Sequence, residues 1–138
     1  MQVNAYLSFN GNCAEAFQFY EKTLGGTIEF LMTHGEAPGA EELPAGWRNM
    51  VMHARLAAGG QVLLGSDSPP DDYEKPQGIT VSLQVDSAAE AERIFDAFAD
   101  GGTVSMPMEQ TFWAERFGMV TDRFGTPWMI NFEGNAGA

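Results

Sequence analysis

With 138 residues, 19 acidic against 7 basic side chains and a formal net charge of -12, the chain fits one domain or two small modules sharing a core. Such acidity excludes the basic surface that nucleic acid demands and argues against anionic membranes as partners. A single cysteine, Cys13, rules out an internal disulfide; with no apolar run near the roughly 20 residues of a membrane span and no secretory signal at the start, a cytoplasmic protein is expected.

Residues 3–9 are predicted as a strand that exits at Gly11 and Asn12. Asn12 stands in the capping position of the next helix, with Glu15 completing a capping box. Ala16, Phe17, Tyr20 and Leu24 fall at helical spacing, and Gly25 and Gly26 stop the helix. Thr27 to Thr33 returns as a strand. The loop from His34 to Trp47 is rich in Gly, Pro, Ala and Glu and is expected to be mobile, as lids beside a scaffold are. Asn49 to Ala58 and Gln61 to Gly65 form a hairpin around Gly59 and Gly60. Residues 67–77, with their prolines and acids, read as a linker.

The same plan then returns about 75 residues on. Ala14-Glu15-Ala16-Phe17 followed by Gly25-Gly26-Thr27 is matched by Ala89-Glu90-Ala91 followed by Gly101-Gly102-Thr103. A strand is predicted from Ile79 to Val85, a helix from Ser87 to Ala99 and a strand through Met106. The last hairpin pairs Phe117–Thr121 with Pro127–Phe132, turning near Arg123, Phe124 and Gly125. The tail from Gly134 to Ala138 has nothing to bury and should fray. The expected fold class is α+β, with two βαβββ modules (1–66 and 78–133) in a pseudo-two-fold arrangement. In the strand from Ile79, the apolar Ile79, Val81, Leu83 and Val85 should pack on helices, leaving Thr80, Ser82 and Gln84 on the other face. Ala5, Leu7 and Phe9 should behave likewise, leaving Asn4, Tyr6 and Ser8. Two half-sheets with polar inner faces would make a cup.

The helix end FYEKTLGG (residues 19–26) and the final hairpin DRFGTPWMINF (residues 122–132) on a βαβββ duplication resemble the vicinal oxygen chelate superfamily. That group holds glyoxalases, bleomycin-resistance proteins and extradiol dioxygenases. Residues 3–26, 52–67 and 110–131 are similar to its PhnB-like branch. The resemblance covers nearly the whole chain and implies a homodimer. Its metal-dependent members hold a divalent ion with His, Gln or Glu on the first and last strands of each module. Those positions fall here on Asn4 (or Ala5), Leu64, Thr80 and Met129, which offer no usual donor for a transition metal. No metal and no other cofactor are therefore expected.

Among the remaining candidates, His53 is the histidine on a predicted strand and can serve as a general base or as a satisfied structural residue. Glu109 and Gln110 stand before the final hairpin as its catalytic companions. Phe112 and Trp113 beside them can wall a pocket, or Trp113 and Phe117 can close the end of the second sheet. Trp128 should pack on a helix while Met129 and Asn131 face the cup. Trp47 can cover a ligand or simply pack. Cys13, near a helix start but without a histidine partner, reads as a small buried side chain. No phosphate loop, dinucleotide fingerprint or nucleophile elbow is present. The leading expectation is metal-independent binding of a small neutral or cationic organic ligand by Asn4, Tyr6, Ser8, Thr80, Ser82, Gln84, Phe112, Trp113 and Asn131. A lyase, isomerase or metalloenzyme using His53 and Glu109 is the alternative, and a role carried by a dimer interface the third.

Overall fold

The computed structural model describes residues 1–136; Gly137 and Ala138, the end of the tail expected to fray, lie outside the described residues. The chain divides into two compact units, Met1–Glu74 and Lys75–Ala138. Each is an α+β unit of one helix on one four-stranded mixed sheet. The first holds β1 (Ala5–Phe9), α1 (Cys13–Leu24), β2 (Thr27–Thr33), β3 (Val51–Ala58) and β4 (Gln61–Asp67), in sheet order β1-β4-β3-β2. The second holds β5 (Val81–Gln84), α2 (Ala88–Ala99), β6 (Thr103–Glu109), β7 (Arg116–Thr121) and β8 (Pro127–Phe132), in order β5-β8-β7-β6. In both, the first strand runs parallel to the last and the other pairings are antiparallel. The duplicated βαβββ plan is thus present in full.

The repeated Gly-Gly-Thr has a physical cause. Gly25 and Gly101 take left-handed backbone, with φ of 69° and 74°, to turn the chain out of each helix. Their successors sit against backbone. A Cβ on Gly26 would collide with the Ala57 carbonyl, and one on Gly102 with the carbonyls of Thr121 and Phe98. One glycine of each pair is needed for its dihedral and the other for its missing side chain.

Burial alternates along β1 and β5 as the sequence implies, while β6 is exposed at nearly every position. Phe9, Ala16, Phe17, Tyr20, Val51, Ala54 and Leu56 form the core of the first unit, and Ala91, Ile94, Phe98, Val120, Trp128 and Ile130 that of the second. Trp128 stacks on Phe98 at 4.6 Å between centroids and donates its indole N–H to Asp122 Oδ2 at 2.8 Å. Asp122 Oδ1 accepts from the N–H groups of Phe124 and Thr126 and so shapes the turn of the last hairpin.

Several expectations need correction. Asn12 does not cap α1: its backbone (φ -116°, ψ 24°) is not the extended form that brings a cap side chain over the first turn, and its side chain makes no cap bond. Asp67 does the work instead, its Oδ1 accepting from Gly11 N at 3.0 Å and Cys13 N at 2.9 Å. Ser87, in extended backbone, caps α2 by accepting from Glu90 N. β4 runs on to Asp67 and β6 to Glu109, beyond the ends read at Gly65 and Met106. β5 begins only at Val81, which leaves Ile79 exposed instead of packed on a helix. The segment after β2 folds into three short 3-10 turns, His34–Glu36, Ala40–Glu42 and Ala45–Trp47. Its ends are tied by His34 N to Met50 O and Gly35 N to Arg48 O, both 2.9 Å.

Candidate functional site

Each unit presents a sheet face turned away from its helix, and most of the candidate residues lie on one of these two faces. In the first unit, Ala54 and Leu56 are fully buried, so His53 and Arg55 point to the opposite side. Val51 is buried as well, which strict alternation allows only if His53 also faced the helix. The strand solves this with a bulge. Thr33 pairs with Val51 and Met32 with His53, leaving Met52 as an extra residue on β3. Asp67 Oδ2 accepts from Val51 N at 2.8 Å and fixes the strand at that point.

His53 so placed meets two aromatic rings. Tyr6, on β1, reaches across β4 and brings its hydroxyl to 3.4 Å from His53 Nδ1. The Tyr6 and Phe30 rings each lie 5.9 Å from the imidazole, centroid to centroid. Tyr6 and Phe30 are 49% and 42% exposed, so the trio is a solvent-facing aromatic surface and not core. Ser8 is exposed on the same strand, opposite Ser66. Arg55 is paired with Glu29 at 2.8 Å, an exposed bridge that contributes little to stability. Beside this face, His34 ends half-buried against Trp47 at 5.6 Å.

In the second unit the register aligns two rows across the sheet. Ser82, Met129, Met119 and Met106 oppose one another in turn, and so do Gln84, Asn131, Phe117 and Glu109. Asn131 Nδ2 donates to Gln84 Oε1 at 2.7 Å, and Gln84 Nε2 donates to Ser82 Oγ at 3.0 Å. Trp113 stands edgewise on Phe117 at 5.2 Å and Phe112 on Trp113 at 4.9 Å. Phe117 is 6% exposed and packs into the sheet end, whereas Trp113 is 39% exposed and Phe112 87%. Thr111 orders this segment, its hydroxyl accepting from the N–H of Trp113 and of Ala114.

The structure thus brings Tyr6 together with His53, and Ser82 and Gln84 with Asn131. Asn4 and Thr80 stand one residue before β1 and β5, half-buried; Gln110 is exposed just after β6. Glu109 lies in the second unit and His53 in the first. Phe30 was not singled out by sequence; the alternation of its strand carried the signal, but the bulge between β2 and β3 hid its face.

Cys13 is buried at the start of α1. Burial, and next the charge of Asp67, push its thiol well above the ordinary cysteine range, overriding the pull of the helix N-terminus. A divalent ion is not served by the residues where the fold's relatives would hold one. Register sets Tyr6 opposite Leu64 and Ser82 opposite Met129, with Asn4 and Thr80 just outside, and no imidazole or carboxylate among them. Among the described residues no group of three or more His, Cys, Asp and Glu side chains is gathered for a metal.

A βαβββ unit made twice, with a helix on one side of each sheet and polar and aromatic residues on the other, defines a glyoxalase-type fold. The chain belongs to the Glyoxalase/Bleomycin resistance protein/Dioxygenase superfamily, whose family model matches residues 2–130. It is 37% identical to protein YjdN of Escherichia coli (strain K12) over 139 residues, 95% of each chain. The crystal structure of protein PA1353 from Pseudomonas aeruginosa is similar at 51% identity and a TM-score of 0.89, over 96% of this chain and 98% of that one. The PhnB protein of Bacillus cereus shares the fold at 21% identity, with a TM-score of 0.81 over 96% and 99% of the two chains. No helix among the described residues is long and apolar enough to cross a membrane.

Proposed function

We propose that this protein binds a small neutral or cationic organic ligand, without a metal ion, on the helix-free faces of its sheets. The observation that carries the reading is the hydrogen-bonded chain Ser82–Gln84–Asn131 flanked by the exposed aromatic pair Phe112–Trp113. Polar hooks beside large exposed rings are the usual make-up of a small-molecule surface, and exposed rings of this size are costly unless something covers them. The net charge of -12 disfavours anions. The working form is a cytoplasmic homodimer. A thermal-shift screen in EDTA, with neutral, cationic and anionic aromatic compounds in parallel, tests the reading. Stabilisation by neutral or cationic compounds supports it; stabilisation by anions alone, or only after divalent ions are added, overturns it.

The Tyr6–His53 contact favours a second reading, a lyase or isomerase in which His53 takes a proton and the Tyr6 hydroxyl polarises the substrate. Its mark is turnover lost in both Tyr6→Phe and His53→Gln while ligand binding persists.

A further inference from the structure

We propose that the helix-free face of the second unit is an ammonium-recognition site, with the Asn131 amide oxygen as its hydrogen-bond acceptor. The proposal deepens the ligand-binding reading above and rests on it. Asn131 is 8% exposed, and its Nδ2 is spent on Gln84. Its Oδ1 is buried without a hydrogen-bond partner. Native folds rarely leave a buried acceptor unmet, so the atom calls for a donor from outside the chain. The rest of the row states which donor. Next to Asn131 stands Phe117, only 6% exposed, and packed edgewise against it is Trp113, 39% exposed, whose ring offers a cation an accessible aromatic face. Beyond Phe117 stands the exposed carboxylate of Glu109. The neighbouring Arg116 is drawn off to Glu92 on α2 at 3.1 Å. Gln84 is exposed and hydrogen-bonded to Asn131, and its displacement on entry, which gives up that bond, is part of the proposal.

A carbonyl acceptor, aromatic faces and one negative charge match a protonated primary or secondary amine on an apolar body. A quaternary ammonium would satisfy the rings and the carboxylate but leave Oδ1 without its donor. That difference separates this site from a general preference for cations.

The test uses three probes that share a benzyl body, near neutral pH in EDTA: benzylamine, benzyltrimethylammonium and benzyl alcohol. Binding is followed by ¹H–¹⁵N shifts of the Asn131 and Gln84 amides and the Trp113 indole. Benzylamine should bind about tenfold or more tighter than the quaternary ion, the worth of one hydrogen bond to a charged donor. Asn131→Leu should erase that ratio while keeping the quaternary ion bound. Glu109→Gln, at an exposed position, should weaken both cations and leave benzyl alcohol unchanged. Equal affinity of the two cations in the unaltered protein overturns the proposal and leaves the broader reading standing. So does binding of benzyl alcohol alone. Failure of all three to bind overturns both.

Discussion

The carboxylate of Asp67 holds the N–H of Val51 at 2.8 Å and thereby pins the bulge that turns His53 away from α1. Its other oxygen takes the N–H groups of Gly11 and Cys13, so one buried side chain ties the start of α1, the start of β3 and the end of β4. Removing it leaves three backbone donors unpaired. Asp67→Ala should cost about 3–5 kcal/mol, or roughly 10–15 °C in melting temperature for a chain of this size. Asp67→Asn, which keeps one acceptor but turns an NH₂ on a backbone N–H, should fall between. Denaturant midpoints measure both, and the His53 ring resonances should move in both.

The paired glycines of the repeat should be intolerant of a single methyl group. Gly26→Ala and Gly102→Ala force a Cβ into backbone carbonyls that cannot yield as side chains do, and each should lose about 2–3 kcal/mol. Gly46→Ala, with open space around its Cβ, should change stability by less than about 0.5 kcal/mol. Thermal melts of the three variants side by side check this; equal losses would contradict the packing described.

These glycines show how much of the fold was legible. Their spacing, the helical periodicity and the strand alternation are local, and they gave both βαβββ units and the buried Trp128 directly. What stayed hidden depended on contacts distant in sequence. The cap of α1 comes from Asp67, 54 residues beyond Cys13, while the adjacent Asn12 looked sufficient. The direction of His53 depends on an extra residue in β3 that no pattern of apolar positions announces. Of the ligand candidates, Tyr6, Ser8, Ser82 and Gln84 followed from simple alternation. The Tyr6–His53 and Gln84–Asn131 contacts needed the strand order, because each joins residues 47 apart.

Cys13 should be chemically silent in the folded protein. Burial and Asp67 raise its thiol, so it stays protonated where an unfolded cysteine ionises. A disulfide reagent at pH 8 should find no reactive thiol until urea is added, and then one. The sign for stability follows: the folded state keeps its proton above the ordinary value of about 8.5 while the unfolded chain releases it. The contribution is full below that pH and declines as pH rises past it. Cys13→Ser, which ionises in neither state, should lack this alkaline decline.

Tyr6→Phe should leave the melting temperature within about 2 °C, since the residue is half exposed. The hydroxyl contact to His53 at 3.4 Å would be gone. The His53 ring resonances, compared by NMR at one pH, should therefore differ between the two proteins. Superimposed resonances would show that the hydroxyl does not act on His53.

The most direct test of the central claim is a ¹H–¹⁵N shift map of metal-stripped protein titrated with neutral and cationic aromatic fragments. Dose-dependent shifts confined to the helix-free faces, around Tyr6, Phe30 and His53 or around Gln84, Trp113 and Asn131, and unchanged by EDTA, are the expected result. Shifts that appear only when a divalent ion is restored, or that fall on the helices, would contradict it.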